Sequence, residues 1–235
     1  MKERPILFSA PMVRALLAGT KTQTRRVVKP KLNECGNFLH AGNVALAHKH
    51  IGEWRQQDGH WYGLAGYTTL AHAGCAYGQP GDQLWVRETW GRDNQDGTIS
   101  YRADIGSGGD ADDFERNRFE GAPNYRWRPS IHMPRAASRI LLEVVSVRVE
   151  RLQEISEADA KAEGVIAWRA EWGIKGAAEM IERGIKAREE AIEAMNFRDI
   201  APILYRLLWE QINGPGSWSE NPWVWVVEFR RIECS

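Results

Sequence analysis

RILLEVVSVRVERL, residues 139–152, is the strongest strand signal in the chain. Its β-branched and aliphatic side chains favour an extended backbone, and the run is long enough to bend. Ile155–Gly164 follows at once and reads as a helix with both ends marked. Ser156, three residues before Asp159, resembles a capping box, and Gly164 closes the helix. Working backwards, the turn signal Pro80-Gly81-Asp82 introduces a strand over Gln83–Trp90, and Ile99–Ala103 reads as another. At the N-terminus Pro5–Phe8 is strand-like. Ser9, Pro11 and the apolar stripe Met12, Val13, Leu16 and Leu17 predict a helix that Gly19 stops. Thr20–Val28 then reads as a strand with Thr22, Thr24 and Arg26 on one face and Gln23, Arg25 and Val27 on the other. Towards the C-terminus, Ile200–Ile212 predicts an amphipathic helix despite Pro202, and Trp223–Ile232 a closing strand. Strands spread along the whole chain with helices between them predict an α+β fold: one domain built on a small closed or half-closed β-barrel.

Composition narrows the class. The 235 residues are 43% hydrophobic and 26% charged, which excludes a wholly disordered chain. Lys plus Arg and Asp plus Glu are each 31, so the net charge is zero and bulk charge does not drive a grip on duplex nucleic acid. A local basic stretch exists nonetheless: Arg4, Arg14, Lys21, Arg25, Arg26, Lys29 and Lys31 precede Asn33 with no acidic residue among them after Glu3. No apolar run reaches the length of a membrane span, and Pro5, Pro11 and Arg14 break any signal-like segment. Three cysteines (Cys35, Cys75, Cys234) are too few for a disulfide framework, and a cytoplasmic location is expected. Segments 33–79, 104–134 and 165–198 read as insertions: the first loop-rich, the second containing a polar Gly106–Asp113 loop and an extended Trp127–Pro134, the third charged and helical. Eleven Trp residues imply a wide core or a pocket for flat ligands, and Trp223 and Trp225 read as core.

The turn Gly19-Thr20-Lys21-Thr22-Gln23-Thr24-Arg25-Arg26 carries the most chemistry. A lysine at a helix-to-strand turn can take the proton of a threonine three residues on, the base–nucleophile logic of covalent catalysis. Only ~0.04% of an unperturbed lysine is neutral at pH 7, so the site must lower its pKa. Burial and the neighbouring Arg26 both push it that way. A basic turn that binds phosphate would have the same sequence. A zinc site from Cys35, His40, His72 and Cys75 has irregular spacing and His48 and His50 as rivals, so no metal is expected. Ser130 with His132 lacks the third group of a hydrolase triad. Arg126, Arg128 and Arg135, interleaved with Trp127, are candidates for the border of a nucleoside pocket.

The order of elements and their motifs resembles the ASCH-domain family, a branch of the PUA-like barrels. Those motifs are Gly-x-Lys-x-x-Thr-x-Arg at 19–26, the Gly81-Asp82 turn, the Ser156–Glu163 helix and the closing Val227-Glu228-Phe229. The segments Gly78–Asp82, Trp127–Arg135 and Asn221–Phe229 look like the long form found in phage and prophage proteins. The resemblance covers about half of the residues. It implies an N4-acetylcytidine amidohydrolase with no cofactor. Lys21 would be the proton acceptor, Thr24 the nucleophile and Glu163 the proton donor, with Arg26 completing the motif at the substrate. Glu88, Glu154 and Glu157 are the alternative donors. The three catalytic side chains and Arg26 should then converge on one cleft flanked by aromatic rings. The expected partner is a small nucleoside, with RNA possible; the oligomeric state is left open. The rival reading is a module that binds RNA or a modified base without hydrolysing it, or a ribonuclease using the same cleft.

Overall fold

Residues 1–29, 31–32, 51–57, 60–65, 68–92, 96–104, 127–167 and 200–232 are described by a computed structural model. Cys35, His40, the Gly106–Asp113 loop and nearly all of segment 165–198 lie outside them. β1 (Glu3–Leu7) leads straight into α1 (Ala10–Leu17), whose Met12, Val13, Ala15 and Leu16 form the buried stripe. Pro11 sits in the first turn, where no intrahelical partner is needed for its missing N–H. Ser9 has the extended N-cap backbone, but its hydroxyl makes no capping bond. Gly19 stops the helix at φ +73° and sends the chain into β2 (Gln23–Val27).

The remaining elements, in chain order, are β3 (Lys31–Leu32), β4 (Glu53–Gln57), β5 (His60–Ala65), β6 (Thr68–Ala73), β7 (Gln83–Arg87), β8 (Trp90–Arg92), β9 (Ile99–Tyr101), β10 (Leu141–Arg151), α2 (Glu157–Ala162), α3 (Ile200–Asn213) and β11 (Trp223–Ile232). The main sheet runs β1-β7-β10-β11-β2. Its β1–β7 pair is parallel and its other pairs are antiparallel. β10 carries a bulge between Val144, opposite Phe229, and Ser146, opposite Glu228. The extra residue, Val145, is left without a partner on β11, the arrangement of a β-bulge. β3-β6-β5-β4 form a second, antiparallel sheet, and β8 and β9 a two-stranded ribbon.

β11 is buried on both faces, with Val224, Val226 and Val227 wholly enclosed, so its sequence reads as an apolar run. The second sheet lies against it: Trp61 of β5 meets Trp225 edge-on with ring centroids 5.8 Å apart. Trp223 donates its indole N–H to Ile51 O at 3.1 Å, so both terminal-strand tryptophans are core. Gly63 leaves room for Ile51 here: a Cβ there would lie 2.6 Å from Ile51 Cδ1, and the Ile51 side chain would have to shift.

The described part of segment 33–79, with strands β4, β5 and β6, therefore differs from the loop-rich reading. β4 shows the reason. Glu53, Arg55, Gln56 and Gln57 are exposed and Trp54 is half-buried, so a polar strand offers no hydrophobic alternation to detect. Trp127–Pro134 also departs from a plain extended run. Arg128 pairs with Trp90 through two backbone bonds, and Ser130–His132 forms a turn of 3-10 helix. Among the described residues, hydrogen bonding does not close the main sheet into a ring: β1 and β2 are its two edges. The architecture is mixed α+β, with the sheet's edges facing each other across a cavity that both line. No described helix is long and apolar enough to cross a membrane.

Candidate active site

The cavity, about 460 Å³, opens between β1 and β2 and is covered by α3. Lys21, Thr24, Arg26 and Glu163 all line it. Backbone bonds explain how residues so far apart in sequence meet. After Gly19 the chain doubles back, and the N–H groups of Thr20 and Lys21 both donate to Ala15 O. Thr22 N then donates to Ala162 O at 2.9 Å, and Lys21 and Glu163 form an isolated antiparallel bridge. α2 is thereby tied to the start of β2 at the point where its own hydrogen bonding ends. Ser156 caps α2 by accepting from Asp159 N, and Gly164 terminates it at φ +82°. A Cβ on Gly164 would lie 3.2 Å from Lys21 Cβ and 3.1 Å from Ala15 Cβ, so the close approach also needs glycine.

Lys21 and Glu163 form a buried ion pair, Nζ to Oε2 2.8 Å, with side chains 2% and 4% exposed. Lys21 Nζ donates in addition to Gln23 O at 2.8 Å and Glu163 O at 2.9 Å. Its three protons are thus engaged, and none is directed at Thr24. Burial pushes the Lys21 amine below its usual pKa. The Glu163 carboxylate pulls it back up, and Arg26 and Arg25 push it down again. Arg26 is half-buried, donates to Leu7 O at 2.9 Å and so bridges the two sheet edges; its guanidinium lies 5.5 Å from the Phe8 ring.

Arg25, which strand alternation sets on the face opposite Thr24 and Arg26, was not among the expected site residues. It too lines the cavity, because a cavity off the free edge of a strand can be reached from both faces. Its side chain is fully buried and donates to Glu150 Oε2 and Asp159 Oδ2, each at 3.1 Å. Arg148 braces the same two carboxylates and also binds Glu228. Burial alone would raise the Asp159 pKa, but Arg25, Ser156 and Arg148 outweigh it and hold the carboxyl below its usual range.

The apolar wall comes from Phe8, Met12 and Tyr77, and from Tyr205, Leu208, Trp209 and Ile212 of α3. The last four recur at i, i+3, i+4 and i+7, one face of the helix. The amphipathic pattern of α3 was readable in the sequence; that this face borders a cavity was not. Burial and the Glu163 charge raise the Tyr205 phenol well above its usual pKa, so it stays protonated.

The alternative donors lie elsewhere. Glu88 is held by Arg139 at 3.0 and 3.1 Å, Glu154 accepts from Arg151 N, and Glu157 pairs with Lys161. Arg128 stacks on Trp90, and Arg135 binds Glu3; neither lines the cavity, and Arg126 lies outside the described residues. No cluster of three metal-ligating side chains occurs among the described residues. Burial raises the Cys75 thiol to about 11.

Chemically, the site joins a hydroxyl, an amine whose basic form burial favours, and a carboxyl within proton-transfer distance of that amine. No family model, no curated protein and no solved structure matches the chain.

Proposed function

We propose that this chain is an amidohydrolase of N4-acetylcytidine or a related N4-acylated cytidine or cytosine, built on a PUA-like barrel of the ASCH type whose two edges frame the active site. The observation that carries the reading is the 2.8 Å Lys21–Glu163 contact in the cavity that Thr24 lines. Moving one proton along that contact converts an ammonium and a carboxylate into a neutral amine and a carboxylic acid. Those are the two forms that the reaction needs.

Thr24 Oγ1 then bonds to the acyl carbon while its proton passes to Lys21 Nζ. The oxyanion gains charge stabilisation from Arg26, which shares a strand face with Thr24. As the tetrahedral species collapses, the C–N4 bond breaks and Glu163 gives its proton to N4, releasing cytidine. Water attacks the threonyl ester, passing one proton to the Glu163 carboxylate. The ester bond breaks, Thr24 recovers its proton from the Lys21 ammonium, and the free acid leaves. Transfer of the Glu163 proton back to Lys21 restores the ion pair.

The test is to incubate the protein with N4-acetylcytidine and follow cytidine and acetate. Lys21→Ala and Thr24→Ala should each abolish release in folded protein, and the double variant should be little worse, since the two act as a unit. Near-wild-type turnover by either single variant would sink the mechanism.

One observation favours the non-catalytic rival: all three Lys21 protons are engaged in the resting state, as in a purely structural ion pair. A reader of RNA or of a modified base would bind its ligand in the same cavity and release no product.

A further inference from the structure

Arg25 carries five N–H groups. Two are taken by Glu150 and Asp159. A third goes to Gln23, whose amide, in the orientation that satisfies both of its ends, accepts from Arg25 Nη1 at 2.6 Å and donates to Asp159 Oδ1 at 2.9 Å. Arg25 Nε is buried without a partner among the described residues, and the second Nη1 proton is left facing Glu163 Oε1 at 3.8 Å, too far for a hydrogen bond. Glu163 Oε1 is itself buried and accepts nothing from the described residues. Both residues line the cavity. Unsatisfied charged groups side by side in a binding cavity mark the place where a ligand supplies the missing bonds.

The geometry points to Arg25 as the residue that reads the pyrimidine edge: its unused N–H groups donate to ring N3 while Glu163 Oε1 faces the exocyclic N4. The inference rests on the amidohydrolase reading for its substrate. Glu163 must face N4 to protonate it, N3 is the next ring atom along that edge, and Arg25 is the neighbouring donor. The contact has a chemical consequence as well. Charge that builds on N4 as the C–N bond breaks is shared with N3, so a guanidinium at N3 favours departure of the base. Arg25 therefore serves both recognition and the leaving group, and its half-buried anchors, Glu150 and Asp159, hold the guanidinium plane still.

Calorimetric titration of the intact chain with cytidine and with 3-deazacytidine, in which a C–H replaces N3, isolates this contact without altering the protein. Removing an acceptor from a charged donor should weaken binding about 10-fold or more. Arg25→Lys, which keeps a cation for Glu150 and Asp159 but shortens the donor, should bind the two ligands alike; if that variant does not fold, the two wild-type titrations decide. Equal wild-type affinities, or no cytidine binding at millimolar concentration, overturn the inference. The two readings fail separately. Loss of the N3 discrimination with acetate release intact removes the role of Arg25 alone. Discrimination without any acetate release removes the hydrolase and leaves a cytosine-edge binding site.

Discussion

A lysine and a glutamate as deeply buried as Lys21 and Glu163 depend on each other, because either charge left alone in that position lacks the solvent that would stabilise it. Glu163→Leu strands an ammonium among Gln23 O, Glu163 O and the Phe8 ring. Lys21→Met is milder, since Glu163 retains Arg25 at 3.8 Å. By urea unfolding, Glu163→Leu should lose roughly 3–5 kcal/mol, and the double variant should recover much of that loss. Strictly additive losses would show that the two groups are not coupled. The same pair gives stability a pH dependence. The folded pKa of Lys21 lies below the unfolded value of 10.5, so between the two the unfolded chain binds more protons. The cost of burying this ammonium is full below the folded value and is lifted as pH rises towards 10.5. Wild-type stability relative to Lys21→Met should therefore climb as pH rises from the lowered folded value towards 10.5, and a flat or falling difference would contradict the assignment.

At the scale of elements, the site depends on how α2 ends. Gly164→Ala meets two obstacles at once: a left-handed backbone at φ +82° and neighbouring Cβ atoms at 3.1 and 3.2 Å. The conformation alone costs about 1–2 kcal/mol in an L-residue. Because the clash includes Lys21 Cβ, kcat should fall further than stability explains, with thermal melts and turnover measured on the same preparation. An unchanged kcat would mean that the end of α2 does not position the pair. These elements were legible in sequence because their signals are local: β10 is rich in valines, α2 has a cap and a glycine, and β11 opens on the apolar run Trp223–Val227. β4 was not legible, because Arg55, Gln56 and Gln57 face solvent and leave no periodicity to read. Arg25 was missed for a different reason. Alternation along β2 separates it correctly from Thr24 and Arg26, but only the tertiary arrangement reveals that the strand is an edge, approached from both faces. Tyr205 and Trp209 likewise look like any core face of a helix until the cavity beneath them is known.

For the whole molecule, the decisive feature is an open sheet whose first and last strands face each other across the cavity, linked there by Arg26 donating to Leu7 O. The cavity is a gap in the fold rather than a groove along its surface, and a volume of about 460 Å³ is within the range of small-molecule sites. The charge distribution agrees with a small substrate. Acidic and basic residues balance at 31 each, and three arginines outside the cavity are engaged by carboxylates: Arg135 by Glu3, Arg139 by Glu88 and Asp104, Arg230 by Glu143. A protein that held a nucleic-acid strand by its phosphates would release counterions on binding, and its log affinity would fall with log salt at a slope of about −0.7 per phosphate contacted. An uncharged nucleoside releases none. The Michaelis constant for N4-acetylcytidine should accordingly stay nearly constant as salt is raised, because Lys21 and Glu163 are buried and poorly screened. A steep rise would place phosphate contacts in the recognition step and make a strand, rather than a free nucleoside, the natural occupant of the gap between β1 and β2.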